Sequence, residues 1–331
     1  MRMLEFDNVR VRIGSVDVLR DVSLTVDAGE AVGLVGETGS GKTMTVRAAT
    51  GLLRPIGGRV AAGSVRVAGT DMTTAGDKQW RRLQGRRIAL VPQSSMSSLN
   101  PLVPIGKQLA ETVRLRLGAS DVAGEVSRAL ASVQLVQSDR LLASYPHELS
   151  GGMRQRVMIA LALTCRPDIL IADEPTTALD ASIRGEILAL LGALREEQGL
   201  ALLLISHDLS AIATATERVV VMYGGTTVEA GSTDDIVTAP RHPYTAALIA
   251  AHPDHARPGE RIAVIGGHPP APGEIVAGCG FAPRCRIAVE ACHAQMPALR
   301  PLQGAAADHV AACLRADEVD ARALYETEAV R

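Results

Sequence analysis

The eight residues Gly36-Glu37-Thr38-Gly39-Ser40-Gly41-Lys42-Thr43 constrain this chain more than any other stretch. They fit the pattern G-x-x-x-x-G-K-[ST], and their flanks matter as much as the pattern itself. Before them, residues 30–35 (Glu-Ala-Val-Gly-Leu-Val) form a short apolar run that reads as a buried strand. After them, residues 44–49 read as the start of a helix. A strand, a glycine turn and a helix opening gather several backbone N–H groups around one point, and the helix N-terminus adds partial positive charge there. Glycines let the backbone approach a phosphate with no Cβ in the way. In that setting Lys42 neutralises the outer phosphates of a nucleotide, and the Thr43 hydroxyl ligates Mg2+.

A second stretch supplies carboxylates. Residues 168–175 (Asp-Ile-Leu-Ile-Ala-Asp-Glu-Pro) end an apolar strand with an acidic pair. Side chains alternate along a strand, so Asp173 is expected to reach the metal while Glu174 faces an attacking water as general base. Alone, the pair also reads as a turn capping the next helix. Behind a phosphate turn it reads as the other half of one site. Residues 149–156 (Leu-Ser-Gly-Gly-Met-Arg-Gln-Arg) place Ser150, Gly151 and Gly152 before a helix expected from about 153 to 165. That is a second helix N-terminus open to phosphate.

The rest of the chain alternates strand and helix, which defines an α/β fold. Short strands are expected at 3–6, 9–13 and 22–26, with turns at 14–15 and 27–29, then a helix at 43–53. Further strands are expected at 60–67 and 87–91. From about 100 to 148 the pattern is helical, with Leu109, Val113 and Leu117 and then Val122, Val126, Ala129, Leu130 and Val133 at helical spacing. Residues 169–172 and 200–205 are continuous apolar runs, as central parallel strands require. Between them Ile183, Ile187, Leu190, Leu191 and Leu194 outline a crossover helix. At 252–259 (His-Pro-Asp-His-Ala-Arg-Pro-Gly) the composition shifts to that of a linker, and the tail beyond is rich in Pro, Gly and Ala.

Bulk properties narrow the function classes. A length of 331 residues suits about two domains. A net charge of −2 gives no reason to expect nucleic acid, and 2% aromatic residues argue against a base-stacking platform. The N-terminus has no apolar leader core and no window is long and apolar enough to span a bilayer, so a cytosolic chain with reduced cysteines is expected. Cys165 stands alone and reads as packing at a helix end, whereas Cys279, Cys285, Cys292 and Cys313 crowd into the tail. In the cytosol such a cluster favours a metal site over disulfides.

Taken in order, these motifs resemble those of ABC-type ATPases. Residues 149–156 are similar to the family signature. Gln93, in Leu90-Val91-Pro92-Gln93-Ser94-Ser95, matches the glutamine loop. Ala178-Leu179-Asp180 matches the loop that crosses the dimer interface, and His207 matches the switch histidine. The resemblance implies a P-loop, RecA-like nucleotide-binding domain with an antiparallel β subdomain and a helical subdomain at about 92–150. It implies that Thr43, Gln93 and Asp173 attend Mg2+, that His207 contacts the γ-phosphate, and that the signature of each subunit closes over ATP held by its partner. One element departs: where the family often stacks an aromatic ring on adenine, this chain has Val11-Arg12-Ile13-Gly14. Ile13 offers an apolar contact there and Arg12 a flat guanidinium face.

The resemblance extends to a branch of that family. Ser97-Ser98-Leu99-Asn100-Pro101, Arg241-His242-Pro243-Tyr244-Thr245-Ala246-Ala247-Leu248 and Phe281-Ala282-Pro283-Arg284-Cys285 are similar to segments of oligopeptide and dipeptide importers of the peptide/nickel branch. This implies an ATPase domain at 1–252 and a small Cys-rich C-terminal domain at 253–331. It further implies a heterodimer with a paralogous ATPase, two transmembrane permease subunits, a periplasmic or lipid-anchored solute-binding protein, and a peripheral place on the cytoplasmic face of the membrane. Peptide is the implied solute, with nickel or another small solute as the alternative, and a soluble non-transport ABC ATPase as the remaining class. The resemblance also implies a [4Fe-4S] cluster on Cys279, Cys285, Cys292 and Cys313, spaced C-x5-C-x6-C-x20-C. Tetrahedral Zn2+, with His293 or His309 replacing a cysteine, and reduced structural thiols remain open beside it.

Overall fold

The computed structural model describes residues 1–93, 98–177, 179–252, 263–271, 273–274, 277–302, 306, 308–320 and 324. Of the linker expected at 252–259, residues 253–259 lie outside them, as do Ser94, Ser95, Ser97 and Ala178. In chain order the strands are β1 (Arg2–Ile13), β2 (Val16–Asp27), β3 (Ala31–Val35), β4 (Gly58–Val67), β5 (Thr70–Asp71), β6 (Ile88–Val91), β7 (Ile169–Asp173), β8 (Ala201–Ser206), β9 (Arg218–Tyr223), β10 (Thr226–Ser232), β11 (Arg300–Pro301) and β12 (Val310–Ala311). The chain divides into two compact units. The first comprises Met1–Leu4, Val26–Ala31 and Arg66–Leu204; the second comprises Glu5–Thr25, Val32–Val65 and Ile205–Arg331.

In the first unit β8, β7 and β6 lie side by side. β6 and β7 are parallel, in register from Ile88↔Ile169 to Val91↔Ala172. Every residue of β7 and β8 is buried, which is why both segments read as unbroken apolar runs. The crossover between them is the helix Ala181–Gln198, whose Ile187, Leu190, Leu191 and Leu194 are buried as expected. The helices Ile105–Thr112, Val122–Ser132 and Asp139–Ala143 occupy the stretch expected to be helical, and Gly151–Leu163 follows it. The first of these departs from the expected pattern after Thr112: residues Val113–Leu117 form a wider π turn, closed by Gly118 at φ 62°.

In the second unit the strand order is β4-β1-β2-β10-β9-β3, with β12 on β10 and β11 on β12. β3 and β9 are parallel, from Val32↔Arg218 to Val35↔Val221. β9 and β10 are antiparallel, joined at Gly224 and Gly225. β12 adds antiparallel to β10 through Glu229↔Ala311 and Ala230↔Val310. The sequence suggested a break between strands at residues 7–8, but β1 runs through it. Asn8 adopts φ 47°, which asparagine tolerates, and its N–H donates to Ser23 Oγ at 3.0 Å. The buried positions change phase there, from Leu4 and Phe6 to Val9 and Val11. In a chain with only two Phe and four Tyr, the rings of Tyr223, Tyr244 and Phe281 gather with centroids 4.6, 5.3 and 5.4 Å apart.

Candidate nucleotide site

The glycine turn lies in the second unit. It runs from the end of β3 into the helix Lys42–Thr50, which ends three residues earlier than expected because Gly51 at φ 76° stops it. Gly41 caps the helix at φ 109°, and a Cβ there would meet Leu19 Cδ2 at 2.6 Å. At Gly36 a Cβ would meet the Met222 carbonyl oxygen at 2.3 Å. At Gly36 the obstacle is backbone, and at Gly41 the positive φ strains any other residue. Lys42 is buried, and its ammonium donates to the carbonyls of Gly36 at 2.5 Å and Glu37 at 3.0 Å, inside the curl of the turn. Thr38, Gly39 and Thr43 face solvent. Ser40 Oγ is buried with no hydrogen-bond partner among the described residues, a polar atom left over inside the turn.

His207 also belongs to the second unit, exposed immediately after β8. Its neighbour Asp208 donates its N–H to Ser206 Oγ at 2.9 Å and caps the helix Leu209–Ala213 through the Ala211 N–H. The Asp208 carboxylate lies 3.1 Å from His252 Nε2. Arg12 is fixed by a two-point bond to Asp17 across the tight turn at 14–15, at 2.6 and 2.9 Å. That hydrogen bond raises the Arg12 pKa and lowers that of Asp17.

The acidic pair lies in the first unit. Asp173 is buried as the last residue of β7. Glu174 does not alternate with it along the strand: Glu174 has left β7 at φ 48° in the left-handed region, which is uncommon for a glutamate and marks a site of backbone strain. Its Oε2 accepts from Gln93 Nε2 at 2.8 Å and from Thr177 Oγ1 at 2.9 Å. Thr177 was not singled out by sequence, although its spacing of three residues is that of a local cap. Ser150 caps the helix Gly151–Leu163 by accepting the Met153 N–H at 3.2 Å, so the helix starts about two residues earlier than expected. A Cβ on Gly152 would meet Ile183 Cγ2 at 2.9 Å. Asp180 caps the next helix by accepting the Ile183 N–H at 3.0 Å.

The four tail cysteines line one cavity in the second unit, with His242, Pro243 and Phe281 among its walls. Its volume of about 20 Å3 is that of a single water-sized guest. All five cysteines of the chain are free thiols. Burial raises the pKa of Cys279, Cys285 and Cys313, the last to about 12, against N–H donors that lower it. Those donors are Phe281 and Ala282 for Cys279, Ile287 for Cys285, and Arg315 for Cys313. Among the described residues, no group of three or more His, Cys, Asp or Glu is spaced to hold a metal ion as it stands. His309 does not replace a cysteine: it is buried with Nε2 2.8 Å from Glu229 Oε1. His293 is exposed and does not line the cavity. His242 does, with Nε2 3.9 Å from Cys279 Sγ. Cys165 is half-buried in the turn beyond Leu163 rather than packed in its helix.

A glycine turn around a buried lysine, an acidic strand end and a serine-capped glycine pair define an ABC-type ATPase, and residues 19–177 match the ABC transporter family. Residues 228–292 match the oligopeptide/dipeptide transporter C-terminal region. A putative peptide import ATP-binding protein of Brucella ovis is 41% identical over 325 residues, covering 94% of this chain and 95% of its own. The dipeptide transport ATP-binding protein DppD of Escherichia coli is 41% identical (91% and 94% covered), and the oligopeptide transport ATP-binding protein OppD of Salmonella typhimurium is 40% identical (89% of each). Among solved structures, a dimeric ATP-binding cassette in a post-hydrolysis state with ADP and Pi matches with TM-score 0.61 and 26% identity, over 70% of this chain and 99% of its own. The chain belongs to the family of ABC-transporter ATP-binding proteins that carry the oligopeptide/dipeptide C-terminal region. No helix among the described residues is long and apolar enough to cross a membrane.

Proposed function

We propose that this chain is the ATP-hydrolysing subunit of an importer that brings peptides across the cytoplasmic membrane. The observation that carries it is the turn at 36–43, with Lys42 buried inside and a helix N-terminus open beyond. In this reading the backbone N–H groups of residues 36–43 and the Lys42 ammonium hold the ATP phosphates. Thr43, Gln93 and Asp173 attend Mg2+, Glu174 takes the proton of the attacking water, and His207 steadies the γ-phosphate. Ser150, Gly151 and Gly152 close over ATP held by a paralogous ATPase, with Asp180 at the same interface. Closure moves the helical subdomain (about 92–150) against two permease subunits supplied by a solute-binding protein, and hydrolysis reopens the dimer. The chain then works as a peripheral protein on the cytoplasmic face of the membrane. The names of the relatives favour peptide over nickel or another small solute. The near-neutral charge and 2% aromatic content weigh against a soluble ATPase acting on nucleic acid.

The division into an ATPase domain (1–252) and a Cys-rich tail (253–331) belongs to the same proposal, as does a metal centre on Cys279, Cys285, Cys292 and Cys313. Four thiols lining one cavity, three of them receiving backbone N–H bonds, support a metal centre; the water-sized cavity suits a single Zn2+ as it stands, and a [4Fe-4S] cluster would need the thiols to move apart. A bound metal would displace the thiol protons and cross-link the tail. The decisive experiment is Glu174→Gln in the assembled transporter. ATP binding should persist, phosphate release should stop, and the closed dimer should accumulate. Hydrolysis at the normal rate would show that the base lies elsewhere.

A further inference from the structure

Glu37 is held at every polar group it has. Its N–H donates to the Tyr244 hydroxyl at 2.7 Å. Its carbonyl accepts from Lys42 at 3.0 Å. Its two carboxylate oxygens accept from the fork of Arg284, at 2.8 Å from Nη1 and 3.2 Å from Nη2. The first and third of these partners come from far along the chain, from the His-Pro-Tyr segment and from Phe281-Ala282-Pro283-Arg284-Cys285.

Arg284 is itself fully engaged. Its side chain is 5% exposed. Nε donates to the Gly266 carbonyl at 2.7 Å, Nη1 also to the Tyr223 hydroxyl at 3.0 Å, and Nη2 also to the Ile265 carbonyl at 3.1 Å. All five guanidinium N–H groups are thereby used. The guanidinium carbon lies 5.7 Å from the centroids of both Tyr223 and Phe281. Tyr244 is completely buried in the same ring cluster. A planar fork satisfied on every edge and packed against two rings cannot rotate without breaking several bonds together. Arg284 also precedes Cys285, one of the thiols of the tail cavity, so the fork and the cavity share a backbone.

We propose that Tyr244 and Arg284 are positioning residues that brace Glu37, and through it the glycine turn, in the shape that receives phosphate, so that these two residues, one of them from the tail, set the affinity for nucleotide. This rests on the reading of residues 36–43 as the ATP site. Neither side chain touches nucleotide; both act on the turn that does. Changes in the thiol cavity are transmitted through Phe281 and Arg284 to Glu37.

The test is calorimetric titration of MgATP into the full-length chain, with phosphate release from the assembled transporter as the second readout. Tyr244→Phe keeps the ring and deletes only the hydroxyl. Arg284→Gln removes the fork. Each should raise the ATP dissociation constant about tenfold, the scale of one lost charge-assisted or buried hydrogen bond. KM should rise while turnover at saturating ATP falls much less. Because Arg284 acts through Glu37, the double variant Glu37→Gln/Arg284→Gln should bind no more weakly than the worse single one. A staple that only stabilises the fold would lower the melting temperature and leave the affinity of the folded protein unchanged; that result, or costs that add in the double variant, overturns the proposal. If Arg284→Gln fails to fold, Tyr244→Phe and Arg284→Lys decide in the same assay. Lys42→Ala separates the two readings. If it binds ATP like the unaltered chain, the ATP-site assignment fails; if it alone loses binding, only the brace fails.

Discussion

Glu229 offers a quantitative test of how the second unit is held together. It sits on β10 with no exposed surface. Its carboxylate accepts the Arg241 N–H at 2.7 Å, the His242 N–H at 2.9 Å and a contact from His309 Nε2 at 2.8 Å. Glu229→Ala removes the one acceptor that each of these groups has among the described residues, and His242 and His309 are each 1% exposed. A buried donor left unsatisfied costs about 1–3 kcal/mol. Two fully buried donors and one half-buried donor therefore set the expected loss at about 4 kcal/mol. For a chain of this size that lowers the melting temperature by roughly 8 °C. Urea denaturation and scanning calorimetry of the full-length protein measure it. Glu229→Gln keeps one accepting oxygen and should fall between the two. A loss below about 1 kcal/mol for Glu229→Ala would mean that water reaches these donors and that the carboxylate does not organise the segment.

Two further outcomes follow from the same region. Burial pushes the His242 pKa down from 6.5 to about 3, so the folded protein holds it neutral while the unfolded chain takes up a proton. Stability should therefore be complete above about pH 6.5 and decline toward pH 3, at up to about 1.4 kcal/mol per pH unit. Denaturation midpoints across that range measure the slope, and His242→Asn, which keeps an acceptor for the Tyr244 N–H, should flatten it; an unchanged slope would assign the acid sensitivity to other groups. Protein purified without oxygen should carry iron and sulfide, or zinc, at the tail thiols, and Cys285→Ser should lose it. Metal-free protein under those conditions would leave the cavity a packing feature.

Local chemistry was legible in the sequence, and long-range closure was not. The glycine turn could be read because its residues, its strand and its helix are consecutive. The same is true of the cap at Ser150, where acceptor and donor stand three residues apart. The buried β7 and β8 showed as unbroken apolar runs. The strand break expected at residues 7–8 was a misreading of Asn8, whose left-handed backbone shifts the phase of β1 without ending it. The alternation by which the sequence separated Asp173 from Glu174 does not apply, since Glu174 has left β7 with φ 48°. Nothing in the sequence links Glu37 to Arg284, 247 residues away. Nor could spacing alone bring His242 to the cysteine cavity, or turn His309 away from it toward Glu229.

The short strand β12 lies on β10 at Glu229 and Ala230, and the Ala312 N–H extends the ladder to the Val228 carbonyl at 2.8 Å. A shortened chain ending near residue 252 would strip this strip of backbone away. It would leave a row of unpaired ladder groups facing water, a template on which other chains can zip. Expression of residues 1–252 alone should therefore give a sticky, self-associating product, and the last quarter of the molecule is better regarded as its selvedge than as an optional accessory.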